Sequence, residues 1–373
     1  MYLLAAGERA AVTAKARVFR GRLLAPEDYS RILALDTVGE VAAYLAKTEA
    51  YGRYIPGPSP ETIHRVDLEA AITTVPLLEE IPFCRYLGPE RSALLRAWGE
   101  RFDVDLVRRV INIITAGAGS RESLRRRIES VPITVADGEK LLAARTLRDV
   151  LEAMKGYPIY DILEEPMKRA VKQGGSLFRV KMALDSFFMT NILSGGKKLP
   201  GSEGRGVRHI FGTRADLINI YWIYRGRRFF SMSPEEALGL TLPVRYRLKF
   251  GALSAIAFAP DPRSMVSMLR AGPYGEAFGE LGEGDAAEVD EMTLEHNLYR
   301  VLFRISEAVF RSGQPGVHAV LAYLTLRELE VKDLFTIIEC VRYGYDREKT
   351  REFLIHPSGP SLAGREGRSQ WLS

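Results

Sequence analysis

From Ala319 to Pro357 the chain sets an apolar face (Leu324, Leu329, Leu334, Ile337, Ile338, Val341) against a polar one (Arg327, Glu328, Glu330, Lys332, Asp333, Glu339, Arg342). This helical period predicts one long amphipathic helix. Gly344 suits the positive φ that ends such a helix, Asp346 caps a short second helix, and Pro357 stops it.

The same pattern occurs twice earlier. Glu330 opens the polar face here, Asp216 does so in ADLINIYWIYRGRRF, and Asp103 in FDVDLVRRVINIITAG, at intervals of 113 and 114 residues. Each acid is followed by an apolar pair, by a cap (Ser120, Ser233, Asp346) and by a proline (Pro132, Pro243, Pro357). Each is preceded by a Leu-acid pair (Leu68-Glu69, Leu184-Asp185, Leu294-Glu295) and a tyrosine (Tyr51, Tyr157, Tyr274). The expectation is an internal triplicate, with helical domains at 1–132, 133–245 and 246–357 and a disordered tail at 358–373. Solenoid units repeat every 20 to 50 residues or so, and this period is far longer. An acid present once per unit is expected to serve that unit, by capping or by an ion pair to an arginine such as Arg225 or Arg342, rather than to act as a general base. One register is uneven: Leu106 stands in frame with Asn219 and Asp333.

The remaining pattern predicts further helices. Glu8 to Leu24 opens the chain, Asp28 to Leu35 and Val38 to Tyr51 follow, and Ser59-Pro60-Glu61 starts a helix that Pro76 should kink or stop. Gly88-Pro89-Glu90 opens the first long helix. Gly138 to Lys155 reads as one helix, and Pro166 to Ile192 as a helical zone interrupted at Gly174-Gly175. The segment 193–206, LSGGKKLPGSEGRG, reads as a flexible loop, Thr213 as the start of the helix holding Asp216, and Ala271 to Asp290 as a loop with one short helix. Sustained two-residue alternation and hairpin signals do not occur, so the fold class is all-α.

Composition narrows the function. Of 373 residues 46% are hydrophobic and 27% charged, as in a globular protein. A net charge of +5 suits a partner of some negative character without demanding nucleic acid, and none is expected. The densest basic stretch carries Arg17, Arg20 and Arg22; with Lys197 and Lys198 these are the candidate partner contacts, while Arg125, Arg126 and Arg127 are expected to be exposed. Cys84 and Cys340 make no disulfide framework, and His64, His209, His296, His318 and His356 show no metal spacing. No nucleophile elbow or phosphate loop is found, so no catalytic residue, metal or cofactor is expected. The N-terminal apolar run is broken by Glu8 and Arg9, unlike a signal peptide, and no apolar run reaches the roughly 20 residues of a membrane span. An alternative is a helical scaffold for an anionic partner such as RNA or a membrane surface. It requires basic residues among exposed aromatics, offered only by Tyr221 to Phe230.

The sequence resembles the C-type subunits of the V/A-type rotary ATPases, relatives of the d-type subunit of the eukaryotic vacuolar enzyme. The resemblance runs from ARVFRGRLLAPEDYSRIL through VAAYLAKTEAYGRYI and DLINIYWIYRGRRFFSMSPEEALGLTLP to YLTLRELEVKDLFTIIECVRYGYDREKTREFL. It implies three similar domains about a pseudo-threefold axis, forming a funnel on the cytoplasmic face of the membrane rotor ring. The funnel would receive the lower end of the central shaft (D/F-type subunits). It also implies a non-catalytic part that passes torque between the shaft and the ring proteolipid during H+ or Na+ transport, peripheral to the membrane.

Overall fold

The computed structural model describes residues 2–55, 57, 59–117, 121–130, 133–173, 177–278 and 290–356, and every regular element among the described residues is helical. The chain opens with α1 (Tyr2–Arg20), α2 (Pro26–Leu33) and α3 (Val38–Ala46), and passes a 3-10 turn at Pro60–Thr62 into α4 (Arg65–Cys84) and α5 (Pro89–Ala116). Short helices α6 (Arg121–Ser130), α7 (Gly138–Ala143) and α8 (Leu147–Ala153) lead to α9 (Ile159–Gln173), α10 (Phe178–Lys197) and α11 (Gly201–Phe229). Then come α12 (Pro234–Gly239), α13 (Phe250–Ala257), α14 (Pro262–Arg270) and a 3-10 turn at Gly275–Phe278. The series closes with α15 (Glu291–Arg311), α16 (Val317–Tyr343) and α17 (Arg347–Glu352).

Local chemistry sets most of these limits. Pro89 sits in the first turn of α5, where its missing N–H costs nothing, and Gly117 ends that helix at φ 63°. Gly344 ends α16 in the same way at φ 64°. Ser233 and Glu236 form a reciprocal cap on α12, and Asp346 accepts from the Lys349 N–H at the start of α17. Ser120, Pro132, Pro357, the 174–175 glycines and the tail from 358 lie outside the described residues.

Six expectations are corrected. Ser59-Pro60-Glu61 opens only a 3-10 turn, and the helix that follows begins at Arg65, with the His64 side chain accepting from the Val66 N–H. The opening helix ends at Arg20, short of Leu24. Helix α4 runs through Pro76 and Pro82 to Cys84, because both flanks of Pro76 are buried in contact with neighbouring helices, and packing outweighs the lost bond. The 138–155 stretch is two helices. Arg121 donates to the Leu142 and Ala144 carbonyls and closes the first, and Thr146 caps the second. Segment 193–206 is helical apart from a short turn after Lys197. Its glycines let helices approach closely: a Cβ on Gly195 would fall 2.8 Å from Leu94, one on Gly196 2.5 Å from Val207, and one on Gly206 2.7 Å from His318. Thr213 lies inside α11, which begins at Gly201 after Pro200.

The apolar core falls into three clusters. One packs the C-terminal half of α5 against α6 to α10, and a second packs the C-terminal half of α16 against α2, α3 and the start of α4. The largest joins α11 and α13 to α15 with α1, the N-terminal halves of α5 and α16, and the end of α4. Two clusters meet at the middle of α5 and at the middle of α16, whereas α11 lies wholly within the largest cluster. The three similarly spaced acids lie at the middle of these helices.

Candidate interaction cavity between three long helices

Asp103, Asp216 and Glu330 are buried near the centres of α5, α11 and α16. Each is an acceptor for a chain segment that runs past its helix. Asp103 takes the N–H and hydroxyl of Thr134, both at 2.8 Å, and an Arg127 guanidinium N–H at 3.1 Å. Asp216 takes the consecutive N–H groups of Tyr246, Arg247 and Leu248 and the Tyr274 hydroxyl. Glu330 takes the Leu24 N–H at 2.7 Å, the Tyr51 hydroxyl at 2.8 Å and Arg327. The segment held by Glu330 thus comes from the opposite end of the chain. The acids do serve the fold, but Arg225 and Arg342, the expected partners, pair with Glu291 and Glu339 instead.

One turn further along, Asn219 and Asp333 hold the segments next to two of the recurring prolines. Asn219 accepts from the Leu242 N–H, and Asp333 from the N–H groups of Ile355 and His356. The first helix has Leu106 at that register. Arg127, expected to be exposed, is buried on Asp103 and joins Thr134 in tying the passing segment to α5. Burial raises the Asp103 carboxyl above the usual carboxylate range, and the Thr134 bonds oppose that shift.

The long helices also meet one another at two levels. Near their N-termini, buried Glu203 of α11 takes a bidentate pair of bonds from Arg91 of α5, Nε to Oε1 and Nη2 to Oε2, and the Val317 N–H of α16. Nearer the middle, two residues before each acid, the side chains are Arg101, Arg214 and Glu328. These three converge: Glu328 accepts two bonds from Arg214, at 2.8 and 2.9 Å, and pairs with Arg101. One carboxylate thus serves two guanidiniums. Burial, reinforced by the Arg214 charge, lowers Arg101 to about 9.

Beyond this node lie two contiguous cavities of about 500 and 370 Å³, the larger walled by α4, α5, α6, α15 and α16 and the smaller by α5, α10, α11, α15 and α16, which share Arg101, Asp105, Glu295, Tyr299 and Lys332 as lining. On one wall Arg108 bridges Asp105 and Asp185, at 2.8 and 2.6 Å. Burial raises the Asp185 carboxyl, with Arg108 opposing. The Lys332 ammonium lies 4.3 Å over the Tyr299 ring. Among the described residues no group of three or more His, Cys, Asp or Glu is placed to hold a metal ion, and no helix is long and apolar enough to cross a membrane. The arrangement is a hub of buried ion pairs beside a recess lined by both charged and apolar side chains.

A family model described as ATP synthase (C/AC39) subunit matches residues 12–353, which include all three long helices and both nodes. The chain belongs to this family, the C/d-type subunits of the V/A-type ATPases. The match leaves out only the ends of the chain. Relatives of this C/AC39 member include the C subunit of the A-type ATP synthase of Methanothermobacter thermautotrophicus, 24% identical over 91% of this chain and 86% of its own length. Those of Methanocaldococcus jannaschii (22% identical; 92% of this chain, 85% of the relative) and Pyrococcus abyssi (21%; 91% and 88%) are similar as well.

The basic residues singled out in this C/AC39 chain separate into two groups. Arg20 pairs with Glu307 and Arg22 with Glu49, so both are engaged within the fold. Arg17, Lys197 and Lys198 are exposed. In the Tyr221–Phe230 stretch Trp222 and Tyr224 are buried and the Tyr221 hydroxyl donates to Glu291, while Phe229 and Phe230 are exposed, with Arg228 and Arg225 over their rings. The cavity-floor residues Arg101, Arg214 and Glu328 were not singled out in the sequence. Their signal was there: a long charged side chain two places before each repeated acid.

Proposed function

We propose that this chain is a non-catalytic central-rotor subunit that couples the central shaft to the membrane proteolipid ring during ATP-linked transport of H+ or Na+. The observation that carries the reading is the pair of charged nodes that lock three long helices together beside an open recess, in a member of the ATP synthase (C/AC39) subunit family. A coupling element must resist twisting, and helices tied by buried ion pairs and close-packed cores have that stiffness. In this proposal the domains 1–132, 133–245 and 246–357 are three similar helical units about a pseudo-threefold axis. The recess at that axis is the mouth of a funnel that takes the D/F-type shaft. The protein lies peripherally on the cytoplasmic face of the membrane, with Arg17, Lys197 and Lys198 available to acidic partners.

The test is affinity purification of the tagged chain from gently solubilised membranes of its source cells, with mass spectrometry of what accompanies it. Recovery of head, shaft and ring subunits together is expected. Isolation of the chain alone, with those subunits present in the same lysate, contradicts the proposal.

A further inference from the structure

The charge of the recess specifies what enters it. Its floor is the node at which Arg101 and Arg214 share Glu328. The nearest other carboxylate to Arg101 is Asp105, with an oxygen 4.0 Å away, and Asp105 is already engaged by Arg108. Arg101 and Arg214 keep 11% and 12% of their side-chain surface exposed, and both are lining residues of the recess. One turn outward Lys332 rests on the face of Tyr299, an aromatic partner where a carboxylate would neutralise it. Arg109, further along α5, is exposed and lines the same recess. Across both cavities six basic side chains face four acidic ones, and Arg127 is matched behind the wall by Asp103, which leaves the recess one positive charge in excess.

We propose that the recess receives a partner segment bearing carboxylates, one of which reaches the floor and sits between Arg101 and Arg214. This rests on the rotor reading and deepens it by naming the chemistry of the inserted end: an acidic helix tip, not a basic or purely apolar one. A carboxylate bridging two guanidiniums makes charge-assisted bonds in a partly desolvated site, where they are stronger than at an open surface. Leu106 and Val331, which also line the recess, would cover the apolar side of such a tip. The inserted carboxylate would at the same time relieve the repulsion between Arg101 and Arg214 and tighten the joint between α5 and α11.

The experiment is calorimetric titration of the purified full chain with the purified shaft proteins at several salt concentrations, for wild type, Lys332→Glu and Arg109→Glu. Neither residue makes an ion pair among the described residues; Arg109→Glu is therefore expected to keep the wild-type melting temperature, and Lys332→Glu to lose only the contact with the Tyr299 ring. Should Lys332→Glu melt early, Lys332→Gln is expected to weaken binding in the same direction by less. Each reversal is expected to weaken the shaft at least tenfold at low salt and to flatten the dependence on salt. Wild-type binding with both reversals within twofold of it, or tighter, overturns the acidic-tip inference and leaves the rotor reading standing. No wild-type binding at any salt overturns both.

Discussion

Glu330 is wholly enclosed, and its oxygens accept from a backbone N–H, a phenol and a guanidinium. That guanidinium, Arg327, is itself held by Glu79 and the Ala50 carbonyl and lies 4.4 Å over the Tyr51 ring. A buried network of this kind is tolerable only when complete, and removing one charged member costs about 3–5 kcal/mol. Glu330→Gln is therefore expected to lower the unfolding free energy by about 3 kcal/mol in urea titrations. Asp216→Ala, which strands three N–H groups and the Tyr274 hydroxyl, is expected to cost at least about 2 kcal/mol. His318 gives a test with pH. Burial, opposed by the Glu203 charge, holds its imidazole below the ordinary 6.5. The folded state therefore favours the neutral ring, and this contribution is full above about 6.5 and lost as pH falls toward the depressed folded value. Melting curves are expected to show wild type losing more stability than His318→Gln between about pH 7.5 and 5.5. The reverse difference would contradict the assignment.

At the scale of elements, the turn from α10 into α11 shows what a sequence pattern can and cannot convey. Capping is local: Ser233, Asp346, Gly117 and Gly344 act on the few residues beside them, and each does what its chemistry predicts. The glycines at 195, 196 and 206 read as loop because single-sequence reasoning sees only their flexibility. What fixes them is Leu94, Val207 and His318, two of which come from distant helices. Gly196→Ala would place a methyl against Val207 and is expected to cost about 1–3 kcal/mol by overpacking, measurable in the same urea titrations. The same reasoning covers Pro76, whose helix is held by its neighbours, and Arg127, whose burial depends on Asp103 24 residues earlier. The cavity floor was hidden for a related reason. Arg101 and Glu328 are far apart in the chain, and only the meeting of the long helices brings them together.

For the whole molecule, the bond from Leu24 to Glu330 joins the first core segment to the last long helix, and Arg20 to Glu307 and Gly316 to Thr13 reinforce the seam. The chain closes on itself, with α1 and α16 side by side, so load applied to one long helix passes to the others through the Glu203 and Glu328 nodes as well as through the apolar core. Such closure suits a part that carries torque without chemistry of its own. The most direct measurement of that claim is ATP-driven ion uptake into vesicles containing the source organism's rotary ATPase, purified without this chain and then supplemented with it. The rotor account predicts that the complex lacking the chain hydrolyses ATP with no ion uptake and that adding wild-type chain restores uptake. Full ion uptake in its absence would contradict the account.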